Sequence, residues 1–234
     1  MNDHSKMIRT ERLLRRADRL LAARHGTPRL ANKRHPISEL VFIILSARTK
    51  GVGYEAIYRR LRQVFPTWQG VRDARISAIE RVIHDAGLSR IKARQIKRLL
   101  QRLTKDFGSL SGTELRALDN VAVERYLTSL PGVGLKTARC VMLYSLDRAV
   151  FPVDTHCMRL FQNLELIDER MRFEDAQDPL QAIVPHDIRY SLHVNAVAHG
   201  RTICTSHPRC GECPIRSLCR SPEAAAARSG SRRT

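Results

Sequence analysis

Leu130-Pro131-Gly132-Val133-Gly134-Leu135-Lys136-Thr137-Ala138 lies between two segments of helical periodicity, 121–129 and 135–146. The two glycines permit a tight turn with positive φ and let another molecule's backbone approach closely. A helix that starts at about Leu135 points its unsatisfied N–H groups and positive dipole end toward whatever occupies the turn, which makes an anion site. Val133, apolar between the glycines, is placed to anchor the hairpin in the core. The plainer reading is an ordinary glycine-containing helix–helix turn.

Working outward, the apolar period stays close to 3.6. Residues 10–24 carry Leu13, Leu14, Ala17, Leu20 and Leu21 on one face, and Pro36 opens a helix that runs through Ala47. Further helices are expected over 51–64, 72–86 and 90–106, the last with Ile91, Ile96, Leu99, Leu100 and Leu103 inward. More follow over 154–164, 173–182 and 187–199. Gly87 and Gly108 are suited to cap helix C-termini. No segment alternates with period two, so the fold class is all-α. The segment 221–234, rich in Ala, Ser and Arg, is expected to be a disordered basic tail.

The 234 residues hold 41 Lys+Arg against 23 Asp+Glu, a net charge of +18. An excess of this size calls for a polyanionic partner, nucleic acid before an anionic membrane surface. Aromatic residues make up only 5%, which argues against single-strand binding by stacking on successive rings. The longest apolar run, Leu40–Leu45, falls far short of a membrane span. The basic N-terminal stretch lacks the apolar core of a secretory signal. An intracellular, cytoplasmic protein working at the nucleoid is expected, with no organelle targeting evident.

Four of the six cysteines, Cys204, Cys210, Cys213 and Cys219, stand in the pattern C-x5-C-x2-C-x5-C. Clustered cysteines in a reducing compartment ligate metals more often than they pair. Thiolates in this number bind either zinc or a [4Fe–4S] cluster. Cys140 and Cys157, in apolar helical contexts, read as small buried hydrophobes.

The order of LPGVGLKTA, Val153-Asp154-Thr155-His156, His199-Gly200-Arg201 and the cysteine loop resembles the helix-hairpin-helix DNA glycosylases, and most closely the endonuclease III-like members. The likeness runs from about Pro36 to Cys219. It implies two helical domains flanking a DNA-binding cleft: 38–136 as a helical barrel ending in the hairpin, and 1–37 joined to 137–220 as the domain that carries a [4Fe–4S] loop. It also implies that Lys136 is the nucleophile that attacks C1′ of an extruded nucleotide, forming a Schiff base that permits β-elimination. Asp154 would be the carboxylate that stabilises positive charge developing on the sugar; as a residue it also suits the N-cap of a helix starting at Thr155. Family members that only excise a base carry another residue at the lysine position. His156 is read as a phosphate contact or a loop support, not as catalytic. The resemblance favours iron–sulfur over zinc, although the family keeps six residues between the first two cysteines where this chain has five.

In the family, two loops enter the space left by the extruded nucleotide. The first reads Leu45-Ser46-Ala47-Arg48-Thr49-Lys50-Gly51 here, with Arg48 where glutamine is usual and Gly51 where aspartate is common. Arg48 is expected to fill the gap and hydrogen-bond the orphaned base. The second reads Gly87-Leu88-Ser89-Arg90, with Leu88 either a wedge inserted into a base step or a helix-end contact with the core. Gly132, Val133, Gly134, Arg90, Lys92 and Arg209 complete the expected DNA contacts, with Arg94, Arg216 and Arg220 beside them. The expected activity is excision of damaged bases, oxidised pyrimidines foremost, from duplex DNA, with cleavage at abasic sites; one copy of the chain suffices for it. The alternatives are a glycosylase retuned to another lesion with little or no lyase activity, and a non-catalytic binder of abasic or bent DNA.

Overall fold

The first helix, α1 (Asp3–His25), keeps its apolar face in phase: Leu14, Ala17 and Leu21 are completely buried. Helix α2 (Pro36–Ser46) starts on a proline, which suits a first turn, with the His35 ring accepting from the Ser38 N–H at 3.4 Å. Its run of Leu40 to Leu45 is buried on all sides, as expected of a helix with no polar face. The remaining helices are α3 (Tyr54–Val64), α4 (Trp68–Asp73), α5 (Ile76–Val82), α6 (Ser89–Phe107), α7 (Thr113–Ala117), α8 (Asn120–Thr128), α9 (Leu135–Ser145), α10 (Thr155–Asn163), α11 (Gln177–Ile183), α12 (Arg189–Thr202) and α13 (Pro222–Gly230). Short 3-10 turns occur at His186–Ile188 and Cys210–Glu212. This computed structural model describes residues 3–49 and 53–230. No strand occurs among them, so the all-α class stands.

The chain forms two compact units, a central one of residues 31–148 and a second that joins 1–30 to 149–234. In the central unit α2 packs against α3, α6 and α9, α8 packs on α9, and α4 and α5 lie on α6. In the second unit α1 packs on α11 and α12, and α10 on α12. Phe151 and Phe161 meet there edge to face, their ring centroids 5.5 Å apart, both fully buried. Burial of each such ring is worth about 1.5–3 kcal/mol.

The observed division differs from the expected break at 37/38 and 136/137. Helix α9 belongs with the central unit because Ala138, Val141, Met142 and Leu143 are buried in a helix that packs against α2 and α8. The expected single helix over 72–86 is two. Ala74 and Arg75 are extended, and the Lys97 ammonium takes the Ala74 carbonyl at 2.6 Å. The expected disordered tail is helical over Pro222–Gly230. Ser221 caps it, its hydroxyl accepting from the Ala224 N–H at 3.3 Å, and Arg228 donates to the carbonyls of Arg216 (2.5 Å) and Cys219 (2.8 Å). Ser-Pro-Glu is a helix start that the low-complexity composition hid. Residues 231–234 lie outside the described residues.

Candidate nucleic-acid interface and cysteine loop

The hairpin forms as its sequence requires. Val133 is 5% exposed, and its N–H closes the turn on the Leu130 carbonyl at 3.1 Å. Gly132 has φ 71°, and a Cβ there would collide with the side chain of Gln95. Gln95 Nε2 donates to the Gly132 carbonyl at 2.9 Å, so α6 holds the turn. Gly134 begins α9 with extended backbone and offers no side chain to accept from the first turn. With Gly132 and Gly134 exposed, the start of α9 keeps donors available to an outside anion.

Lys136 lies half-buried in that first turn. Its electrostatic environment includes a residue the sequence reading passed over. Glu39, on α2, is completely buried. Its carboxylate accepts from the Asn32 amide and from the Lys33 N–H at 2.5 Å. Burial pushes the Glu39 carboxyl above its ordinary range; those hydrogen bonds and the positive charges of Lys33 and Lys136 pull it back.

Two loops meet beside the hairpin. Arg48 is exposed with a left-handed backbone (φ 52°), and a Cβ on Gly87 would stand 2.5 Å from the Arg48 carbonyl oxygen, so only glycine fits there. Leu88 follows, also left-handed (φ 63°) and 51% exposed. A helix-end contact with the core does not account for that exposure. Arg48, Leu88, Ile91, Gln95, Gly132 and Thr137 share the wall of one cavity of about 230 Å³. Gly51 lies outside the described residues.

Two expectations on α6 are reversed. Ile91, expected inward, is 57% exposed beside Leu88. Lys92, expected at a phosphate, is 4% exposed; its ammonium donates to the Leu45 carbonyl (3.0 Å) and Thr49 Oγ1 (2.9 Å). Burial lowers the Lys92 pKa. Lys92 thus holds the Arg48 loop from behind. Arg90 and Arg94 are exposed.

Asp154 is the N-cap of α10. One carboxylate oxygen, Oδ1, accepts from the N–H groups of His156 (3.0 Å) and Cys157 (2.8 Å), which fixes its orientation. The His156 ring fills the space a side chain at Gly200 would need, and Arg159 reaches both His156 Nδ1 (3.3 Å) and the Gly200 carbonyl (3.5 Å). The structure thus gives His156 a loop-supporting contact.

Cys204, Cys210, Cys213 and Cys219 are unpaired and line one cavity of about 310 Å³. Among the described residues no three His, Cys, Asp or Glu side chains converge as ligands of one ion. Side-chain nitrogens approach the sulfurs: Asn163 Nδ2 stands 3.8 Å from Cys204 Sγ, and His199 Nε2 stands 3.6 Å from Cys213 Sγ. Burial, reinforced by the neighbouring thiols, pushes Cys213 up to about 11, and Cys204 and Cys210 upward too. A cationic centre would reverse that preference and hold the sulfurs as thiolates. Sulfur-walled space with donors aimed at the sulfurs fits a thiolate-bound metal group. Arg209 is tied back to the Thr202 carbonyl (2.6 Å) and Glu212 (3.2 Å), which closes the loop; Arg216 donates to the Gly211 carbonyl at 3.1 Å, and Arg220 is exposed. Cys140 (3% exposed) and Cys157 (0%) are buried as expected.

Residues 41–186, more than half the chain and including the hairpin, match the model of the HhH-GPD superfamily of base excision DNA repair proteins. The chain belongs to that superfamily. It is 28% identical over 193 residues to Endonuclease III of Thermotoga maritima, covering 82% of this chain and 86% of that one. It is 32% identical over 171 residues to Protein ROS1A of Oryza sativa subsp. japonica, covering 65% of this chain but only 9% of the much longer relative. Among solved structures, a trapped endonuclease III–DNA covalent intermediate with an estranged adenine superposes with a TM-score of 0.77 at 25% identity, over 91% of this chain and 95% of that one. The endonuclease III-like assignment therefore holds for sequence and fold alike.

Proposed function

We propose that this HhH-GPD protein is a DNA glycosylase with abasic-site lyase activity, acting on damaged bases, oxidised pyrimidines foremost, in duplex DNA. The observation that carries the reading is Lys136 in the first turn of α9, directly behind a hairpin whose exposed glycines and uncapped helix start suit a phosphate.

The hairpin grips the backbone while the target nucleotide is extruded. Leu88, exposed on its left-handed turn, enters the base step, and Arg48 meets the orphaned base. Neutral Lys136 attacks C1′; the C1′–N bond breaks and the base leaves with its electron pair, gaining a proton. The amine adduct opens the sugar ring and becomes a protonated imine. Loss of a C2′ proton then expels the 3′ phosphate and cuts the strand. Asp154 stabilises the positive charge that develops on the sugar, with the cap hydrogen bonds to His156 and Cys157 aiming it. Cys204, Cys210, Cys213 and Cys219 would hold a [4Fe–4S] cluster, which supplies loop structure rather than a chemical step.

Borohydride trapping on a duplex carrying one abasic site tests the reading. A covalent adduct with the native protein, absent with Lys136→Gln, is expected. Failure of the DNA-binding native protein to trap would overturn the lyase assignment. A second reading, a glycosylase retuned to another lesion or lacking strong lyase activity, is favoured by one observation: the exposed arginine at position 48, on the wall of the loop cavity. Release of free base without strand cleavage would establish it.

A further inference from the structure

Helix α1 presents a row of cations that the chemistry above does not use. Lys6, Arg9, Arg12 and Arg16 are all exposed and fall within about a third of the helix circumference at 3.6 residues per turn. They form one wall of a groove of about 460 Å³. The turn Leu164–Leu166 and the end of the cysteine loop, Ser217–Arg220, form the rest, so Arg220 adds a fifth cation and Glu165 the single carboxylate.

The row has no partners among the described residues. Arg15, on the same helix, is paired with Glu11 (2.9 Å) and Asp187 (2.7 Å). The side chains of Lys6, Arg9, Arg12, Arg16 and Arg220 have no ion pair or hydrogen bond among the described residues. Five cations facing one carboxylate across a single groove repel one another unless an anion lies between them.

We propose that this groove is a binding surface for the sugar–phosphate backbone of duplex DNA, separate from the hairpin. Its partner rests on the DNA-repair reading above. Lys6 to Arg16 spans ten residues, about 15 Å of helix rise, long enough to meet more than one phosphate of a strand. The groove is open, as a continuous strand requires. No helix among the described residues is long and apolar enough to cross a membrane, and Leu14, Ala17 and Leu21 of α1 are packed in the core. The consequence is extra, sequence-independent affinity for undamaged DNA.

The test uses the full chain with Arg9, Arg12 and Arg16 changed together to Gln. Binding to an undamaged 30-base-pair duplex is measured by fluorescence anisotropy from 50 to 300 mM KCl. The slope of log K against log salt should fall in magnitude by about 2 to 3, since each lost phosphate contact removes about 0.9. The charge-preserving Arg→Lys triple should keep the native slope, and Glu165→Gln should tighten binding. Trapping and cleavage of a short abasic duplex at saturating protein should be unchanged, so failure of that readout bears on the proposed function and not on the groove. An unchanged slope in the Gln triple, with native circular dichroism, would overturn the proposal. So would a polyglutamate peptide competing for the groove as well as DNA of equal charge, which would assign it to an acidic protein segment.

Discussion

Gln95 holds the Gly132 carbonyl from α6 at a distance of 2.9 Å, so the hairpin turn is braced by a side chain thirty-seven residues earlier in the chain. The same side chain occupies the space a Cβ on Gly132 would need. Gln95→Ala should cost about 1 kcal/mol, one net hydrogen bond, and weaken binding to abasic DNA several-fold. Gly132→Ala should cost more, because it adds a collision to the strain of φ 71°. In urea unfolding, the double variant should be less destabilised than the sum of the singles, by more than about 0.5 kcal/mol; strict additivity would mean the two residues do not interact.

Lys92 offers a direct choice between phosphate contact and loop support. With its ammonium on Leu45 and Thr49, Lys92→Met should leave the salt slope of duplex binding within about 0.3 of native. It should lower the cleavage rate by freeing the Arg48 loop. A slope reduced by about 0.9 would restore the phosphate role.

Glu39 predicts a pH effect. Its folded-state pKa lies above the unfolded value of about 4.3. The stability it contributes is therefore fully present below that value and is lost as pH rises through the folded value. Urea unfolding between pH 4 and 8 should show a flatter stability profile for Glu39→Gln than for the native chain across that window. Removing a negative charge near Lys136 should also disfavour the ammonium and move the acid limb of the lyase profile to lower pH. Parallel stability profiles would mean Glu39 titrates as in the unfolded chain.

Asp154 should separate into two roles. Asp154→Asn keeps a cap acceptor, so the melting temperature should stay within about 2 °C of native while trapping falls at least ten-fold. Asp154→Ala should lose about 0.5–2 kcal/mol as well, the usual cost of a lost cap. Native trapping by the Asn variant would leave the carboxylate with the cap alone.

Cys213→Ser removes one thiol from the sulfur-walled cavity. Iron and sulfide per chain should drop from about four each in the native protein to well under one, together with loss of the visible iron–sulfur absorption and a lower melting temperature. One zinc per native chain, with no iron, would reassign the loop.

The two reversed positions on α6 follow from the phase of the helix. Ile96, Leu99 and Leu103 set the buried phase of that helix. Lys92 precedes Ile96 by four residues and falls in phase; Ile91 shares the opposite face with Arg94 and Arg98. Helical phase, not residue type, decides which of these side chains is buried. Glu39 was legible in the same way, since a carboxylate inside an all-apolar helix has to be buried with partners.

The hairpin, the Asp154 cap and the cysteine spacing were determined by the sequence alone, because each is completed within a few residues of itself. The brace from Gln95, the Glu39 carboxylate near Lys136, the exposure of Leu88 and Ile91 and the row of unpaired cations along α1 were decided only by tertiary structure. Local periodicity sets which face of a helix is turned inward. Which distant side chain meets that face, and which charges are left without a partner, depends on how the helices pack.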